Sequence, residues 1–251
     1  QLPVRPEPNA ASRWISGHYA DEFAEAHGKT LVVRDAVGAA IPAAGVGCGF
    51  SRKALERLCE QRGAGEGPFA AECLTEDYEL GMLISRDRSK GNFIRARDHL
   101  GHLVATRAFF PSTIEASVRQ KSRWIHGIAL QGWDRLGWSG RTIDLWMSLR
   151  DRRGPLTALV LAAAYSLLVI EAVLGMARLG GWEKDLVLSP ALRTMLIVCF
   201  ASFVWRALTR AWFTGREYGL VEGLLSILRI PLANVISIMA GRRALATYVR
   251  T

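Results

Sequence analysis

Hydrophobic and polar positions follow two different patterns along the chain, and the change comes near residue 126. Before it, amphipathic stretches alternate with short apolar runs and with glycine- or proline-containing loops. Apolar residues at helical spacing predict four helices, over 12–27, 51–61 and 75–88 and from Pro111 onwards. Extended apolar runs predict three strands, over 41–50, 93–97 and 103–109. This alternation predicts an α/β domain over residues 1–125.

The last hundred residues have the pattern of membrane helices. Residues 156–179 form an apolar run with two charged positions, which is long enough to cross a bilayer, and residues 191–213 form a second. A third run, 220–240, is interrupted by charges and by Pro231. Since a third crossing would put Arg242, Arg243 and Arg250 outside, against the positive-inside rule, we predict two spans and an interfacial or re-entrant third helix within a membrane region at 154–251.

Residues 126–153 join the two halves and mix tryptophan with arginine and aspartate. Trp133, Trp138 and Trp146 recur among charged residues, a composition typical of a membrane interface. An ordinary amphipathic surface helix is the alternative. Three arginines just before the first span place its start on the cytoplasmic side; they are Arg150, Arg152 and Arg153.

Composition narrows the class of protein. The 251 residues are 50% hydrophobic with a mean hydropathy of +0.13, which excludes a disordered chain, and four cysteines are too few for a disulfide miniprotein. The net charge is +9, with 20 basic and 17 acidic residues in the first 150 positions and 12 against 6 in the rest. Because the excess basic residues flank apolar runs, they indicate membrane lipid headgroups as a partner, and no nucleic acid.

Three further features of the sequence do not by themselves indicate a functional site. The cysteines are scattered, which favours free thiols, and the His99-x-x-His102 pair has no convincing third ligand. Gly45, Gly47 and Gly49 form GxGxG rather than a dinucleotide fingerprint, and no acidic residue follows at the expected distance. These glycines predict a strand whose backbone approaches another group closely.

Two short motifs carry the candidate chemistry. Glu76 and Asp77 open a predicted helix within Thr-Glu-Asp, and Gln120, Arg123 and Trp124 form Gln-x-x-Arg-Trp about forty residues later. Taken alone, acids at a helix start only favour the helix dipole, and the second motif could be a solvated helix face. Their order, followed by an amphipathic stretch and membrane helices, is much more specific.

The two motifs resemble those of processive, membrane-bound family 2 glycosyltransferases, the cellulose-synthase and hyaluronan-synthase group. A bacterial inner-membrane subgroup, the phage adsorption protein B type, is more similar still, and the resemblance covers nearly the whole chain. Further matching segments are His18-Tyr19-x-Asp21-Glu22-Phe23, Ala44-Gly45-Val46-Gly47-x-x-Phe50, Phe110-Pro111 and Ala129-Leu130-Gln131-Gly132-Trp133. The resemblance implies that residues 1–125 are the C-terminal, acceptor-side part of a GT-A-like nucleotide-sugar transferase domain.

The resemblance also implies roles for the motif residues. Asp77 would be the catalytic base of an inverting transfer, and Glu76 its neighbour. Gln120, Arg123 and Trp124 would bind the acceptor and the diphosphate, through hydrogen bonds, positive charge and a flat ring face. Gly45 and Gly47 would let the backbone approach the substrate. The implied product is a surface polysaccharide or lipid-linked saccharide, made at the inner membrane of a bacterium with the catalytic domain in the cytoplasm.

One family feature is missing from the sequence. The resemblance implies a nucleotide-sugar donor, UDP-linked, and a divalent metal, Mg or Mn, held by an upstream D-x-D motif, yet no D-x-D occurs here. We therefore expect the metal ligands outside this chain, an N-terminally truncated start, and no transferase activity of these residues alone. Other implied partners are a saccharide or lipid-linked acceptor and outer-membrane or secretion proteins.

Two rival functions remain at this point. A non-catalytic membrane scaffold of an exopolysaccharide or phage-adsorption system would need neither motif, so the intact motifs argue against it. A transporter is a poor match because the predicted spans contain few charges; Glu171 is the main exception, and a polar contact within the protein explains it better.

Overall fold

The structure is a computed structural model that describes residues 1–63, 67–86, 89–138, 141–181 and 188–250. These residues are mostly helical. The α-helices are α1 (Arg13–Glu25), α2 (Leu31–Ala36), α3 (Arg52–Arg62), α4 (Glu76–Arg86), α5 (Ile114–Ile125), α6 (Gly132–Leu136), α7 (Thr142–Arg152), α8 (Gly154–Leu179), α9 (Pro190–Tyr218), α10 (Leu220–Leu228) and α11 (Ile230–Arg250). The strands are β1 (Val4–Glu7) and β2 (Thr106–Phe109). The last two residues of the predicted helix 75–88, and residues 182–187 between the two predicted spans, lie outside the described residues.

The sheet is much smaller than the sequence predicts. Strands β1 and β2 pair in parallel, with Val4 opposite Thr106 and Glu7 opposite Phe109, and they are the only strands in the described ranges. The predicted strand 93–97 is reduced to one antiparallel bridge, between Arg97 and Leu103. The α/β class is thus only weakly supported.

The predicted strand at 41–50 is wrong. The backbone there is irregular, because Gly45 and Gly47 have φ of +71° and +64°, which interrupt an extended ladder. The N-terminal residues satisfy part of this segment instead: the Leu2 amide donates to the Gly47 carbonyl, and the Ala44 amide donates to the Gln1 side chain. The predicted close approach of the backbone at these glycines is present.

The helix predictions are confirmed at their starts. Ser51 and Thr113 cap α3 and α5 by accepting hydrogen bonds from the amides of Ala54 and Ala116. The first helix runs further than predicted, because a π turn connects α1 to α2. In that turn a Cβ atom at Gly28 would lie 2.5 Å from the Phe213 ring. The turn and helix α9, which carries Phe213, therefore approach each other closely.

Helices α8 and α9 are each long and apolar enough to cross a membrane. Helices α10 and α11 meet at a bend of 53°, where the sequence predicts the interruption, and would make a third crossing if they formed one broken span. Helix α11 packs on α5 through Ile236 and Ala240, which contact Val118. It also meets α8 closely, since a Cβ atom at Gly241 would lie 2.3 Å from that of Ala158.

Buried charges join α1 to the bend between α10 and α11. Asp21 is fully buried, and its Oδ2 lies 3.4 Å from Arg229 Nε and 3.7 Å from Arg210 Nη2. Arg229 is 1% exposed and also pairs with Glu222. Its guanidinium lies over Gly17, where a Cβ atom would be 1.8 Å from Nη1. Burial raises the pKa of Asp21 to about 7, although both arginines oppose the shift.

Candidate active site

The Thr-Glu-Asp motif forms the start of helix α4. Three acidic side chains in its first turn suit the positive end of the helix dipole. Glu76 is exposed, whereas Asp77 is half-buried and its Oδ1 accepts a hydrogen bond from the Tyr78 amide at 2.8 Å. Burial raises the pKa of Asp77 above that of an ordinary aspartate; the Glu76 charge adds to the rise, and Arg123 opposes it. The shift therefore comes mainly from burial, and the adjacent Glu76 carboxylate makes a smaller contribution.

Gly45 lies directly against Asp77. A Cβ atom at Gly45 would be 2.9 Å from Asp77 Oδ2, so a side chain there would occupy the space in front of the carboxylate. Gly47 has different surroundings, because its Cβ atom would lie 2.5 Å from the Thr106 hydroxyl on β2. Of the two predicted glycines, the structure brings Gly45 to the candidate base and Gly47 to the sheet.

Helix α5 carries the Gln-x-x-Arg-Trp motif. Arg123 is exposed, and its charge is near enough to Asp77 to lower the pKa of that carboxyl. Gln120 is half-buried, and its buried Oε1 accepts no hydrogen bond from the described residues. A buried amide oxygen without a partner is costly, so this atom is available to a donor group such as a substrate hydroxyl.

Trp124 belongs to an aromatic cluster that sequence reasoning did not identify as part of the site. Its ring centroid lies 6.1 Å from that of Tyr19, 6.2 Å from Phe23 and 6.3 Å from Phe110. Trp124 remains half-buried, so part of its ring is still accessible. The signal was present in the segments that carry the family resemblance, which contain Tyr19, Phe23 and Phe110, but nothing in their spacing indicated a common cluster.

The two motifs meet through the helical continuation of α5. A Cβ atom at Gly127 would lie 2.5 Å from the Thr75 hydroxyl oxygen, so the residue before Glu76 packs directly on that helix. The Gln131 side chain accepts a hydrogen bond from the Leu74 amide at 3.2 Å. Glu79, one turn further along α4, is instead engaged by Arg62 and Arg135 and is not part of this group.

The described residues do not fit a metal centre. They contain no group of three or more histidine, cysteine, aspartate or glutamate side chains that could hold an ion. His102 of the predicted pair lies 3.4 Å from Asp98 in an exposed turn, and the four cysteines are free thiols. The divalent metal that the resemblance implies therefore has no ligand group among the described residues.

Comparisons with known proteins show which sequences this chain is similar to. The family model described as Glycosyl transferase family group 2 matches residues 1–239. The Bacteriophage adsorption protein B of Escherichia coli strain K12 is 35% identical over 98% of this chain, and so is the Bacteriophage N4 adsorption protein B of Escherichia coli O157:H7. The chain spans 35% of the length of each of these relatives. No solved structure matches it significantly.

Proposed function

The chain belongs to glycosyl transferase family group 2, and on that premise we propose that it forms the acceptor side of an inverting hexosyltransferase. The proposed reaction moves a sugar from a nucleotide-diphosphate donor, UDP-linked, to a growing surface polysaccharide or lipid-linked acceptor. The observation that carries the proposal is the half-buried Asp77, with Gly45 in front of its carboxylate and Arg123 near enough to influence its charge.

The proposed chemistry is a single displacement. Asp77 takes the proton of an acceptor hydroxyl while the hydroxyl oxygen forms a bond to the anomeric carbon of the donor. The bond between that carbon and the diphosphate oxygen breaks, and the nucleoside diphosphate leaves with the electron pair. Arg123 stabilises the charge on the leaving group, because a guanidinium offers several donors in a fixed plane. Gln120 accepts a hydrogen bond from the acceptor, and Trp124 supports its sugar ring.

In this proposal the described residues form the acceptor side of the site, and most of the donor side is formed by other parts of the protein. The family commonly uses a divalent metal, Mg or Mn in our proposal, but the described residues supply no ligand group for it. Since no D-x-D occurs in the sequence, we propose that the metal, and the contacts to the donor diphosphate other than that of Arg123, lie outside these 251 residues. All tests therefore use the full-length protein in membranes.

We propose a location at the bacterial inner membrane, with the catalytic residues in the cytoplasm. Helix α7 supports an interfacial segment at 126–153, because Leu145, Trp146 and Leu149 are exposed immediately before α8. The buried contact between Arg229 and Asp21 supports an interfacial third helix. If α10 and α11 together crossed the membrane, the bend between them would lie within the bilayer. It would then be separated from α1, which belongs to the domain at residues 1–125.

Replacing Arg123 by alanine is expected to lower the transfer rate by about 10²–10³-fold, the usual loss when one group that stabilises developing charge is removed. Radiolabelled sugar transfer in membranes containing the full-length protein measures this effect. Arg119→Ala is the matched control, since Arg119 lies one turn earlier on α5, is exposed and forms a surface ion pair with Glu115. Equal rates for the two variants would contradict the role of Arg123.

Gly45→Ala tests the space in front of the candidate base. The new methyl group would lie 2.9 Å from Asp77 Oδ2, so we expect transfer to fall by about 10-fold or more, since small displacements of reacting groups are costly. Gly38→Ala carries the same backbone strain, with φ of +65°, but has open space around it. If both variants lose activity equally, strain rather than contact with Asp77 explains the loss.

A membrane scaffold is the alternative function, and the names of the two relatives, which refer to phage adsorption, are what favours it. It predicts that full-length protein transfers no sugar from any nucleotide donor, and that Arg123→Ala leaves the phenotype of the wild type. Donor-dependent transfer that requires Arg123 would exclude it.

A further inference from the structure

Helix α7 directs two carboxylates into the domain from one face. Asp144 and Asp151 are seven residues apart, about two helical turns, so they project from the same side. Asp144 is buried, and the Asp151 side chain is 19% exposed. The exposed apolar residues Leu145, Trp146 and Leu149 lie between them in sequence. Neither aspartate belongs to the two motifs.

Asp151 holds the helix that carries the candidate base. Its Oδ2 accepts a hydrogen bond from the hydroxyl of Tyr78 at 2.9 Å, and Tyr78 directly follows Asp77. Arg34, which is 2% exposed, donates from Nη1 to both Asp151 oxygens at 2.9 Å. Burial, followed by the Asp151 charge, raises the pKa of Tyr78, so the hydroxyl keeps its proton and remains a donor.

Asp144 contacts the segment that carries Gly45, on the other side of the site from α4. Its Oδ1 accepts a hydrogen bond from the Ala40 amide at 2.8 Å, and Arg34 Nε donates to the Ala40 carbonyl. Ala40 begins the irregular segment that leads to Gly45. That segment packs tightly on α4, because a Cβ atom at Gly81 would lie 2.7 Å from the Ile41 carbonyl oxygen. Arg34 therefore contacts both Asp151 and Ala40, the residue whose amide donates to Asp144, within one buried group.

We propose that Asp151 and Asp144 are positioning residues for the transfer reaction, which set the separation between Asp77 and Gly45 from a single helix. Helix α7 ends at Arg152 and α8 begins at Gly154, so the same contacts tie the candidate base to the first membrane helix. The inference rests on the proposed function of Asp77, and it adds residues that neither motif contains.

Tyr78→Phe is the sharpest test, because it removes one hydroxyl and leaves the ring in the core beside Ala40 and Met82. In full-length protein in membranes we expect kcat to fall about tenfold, with KM for the donor within about twofold of wild type. Asp77 should also gain water, which lowers its pKa, so the loss of activity on acidification should begin at lower pH.

Matched variants separate positioning from general damage. Tyr248→Phe removes a hydroxyl that donates at 2.8 Å to Asp134, an exposed side chain of α6 and not of α4 or α7, and should leave kcat and the pH profile unchanged. Asp151→Asn keeps an oxygen acceptor for Tyr78, so it should lose less activity than Asp151→Ala. This graded series keeps the test valid if one variant folds poorly, which the thermal midpoint in detergent would reveal.

The outcomes distinguish this inference from the proposed function. If Asp77→Asn is inactive while Tyr78→Phe and Asp151→Ala match wild type in kcat and pH profile, the positioning role is wrong and the proposed function stands. A lower kcat in Tyr78→Phe with an unmoved acid limb would also overturn positioning, because a purely structural loss only scales the rate. Full activity of Asp77→Asn would remove the proposed function, and the inference that rests on it.

Discussion

Replacing Asp77 by asparagine is expected to reduce sugar transfer by about 10²–10⁴-fold, the range that a positioned general base contributes. Asparagine has nearly the same shape as aspartate, so the contact with Gly45 and the hydrogen bond from the Tyr78 amide can be retained. What is lost is the ability to take a proton. The measurement is the transfer rate of full-length protein in membranes, with donor KM determined separately to show that binding is preserved.

The dependence of the transfer rate on pH provides a second test of Asp77 as the base. A base must be deprotonated, so the wild-type rate should fall as the pH drops through the pKa of Asp77. Because burial raises that pKa, the fall should begin above the range of an ordinary aspartate, about 3.9. Glu76→Gln removes a charge that raises the pKa, so its acid limb should move to lower pH. An Asp77→Asn variant with an unchanged rate and acid limb would remove Asp77 as the base.

The sequence predicted the helices of this chain well, for a physical reason. Helix starts depend on local chemistry, and the caps Ser51 and Thr113 and the acids of the first turn of α4 are all readable within four residues. Spans depend on length and apolarity, which are also local, and both α8 and α9 were found within a few residues of their ends. The break near Pro231 was equally visible, because charges and proline interrupt the apolar run.

The sheet and the aromatic cluster could not be predicted from local pattern. Residues 41–50 have a strand-like composition, but the glycine conformations that end the ladder depend on contacts with Asp77, Thr106 and the N-terminus. Trp124 and Phe110 lie in one region of sequence, whereas Tyr19 and Phe23 are about ninety residues earlier. A family resemblance identified the motif residues; only the fold shows which of them meet and that α7 contributes to their placement.

The buried pair of Arg229 and Asp21 leads to the largest expected effect on stability. Removing one partner of a buried ion pair leaves an uncompensated charge and costs about 3–5 kcal/mol. At pH 8, where the Asp21 carboxylate is charged, Arg229→Met should therefore lower the free energy of unfolding by about that amount, because Asp21 is fully buried and Arg210 lies 3.7 Å away. Arg13→Met is the control: Arg13 also pairs with Glu222 but is half exposed, so its loss should cost less than about 1 kcal/mol.

The cost of Arg229→Met should itself depend on pH, with a defined sign. The pKa of Asp21 in the folded protein, about 7, is above its value of about 3.9 in an unfolded chain. The folded state therefore holds this proton more tightly, and the stability it provides is fully present below about pH 3.9 and is lost as the pH rises through 7. Without Arg229, the charge of Asp21 is buried with less compensation, so the penalty should be small near pH 5 and large near pH 8.

Thermal midpoints of detergent-solubilised full-length protein at pH 5 and pH 8 measure this difference. Asp21→Asn combined with Arg229→Met should recover much of the stability at pH 8, because no carboxylate is then left buried without its partner. A penalty for Arg229→Met that is the same at both pH values, and is not relieved by Asp21→Asn, would show that Arg229 acts through packing against Gly17 alone. The charge pair would then no longer support placing the bend between α10 and α11 against α1, on the domain side of the membrane.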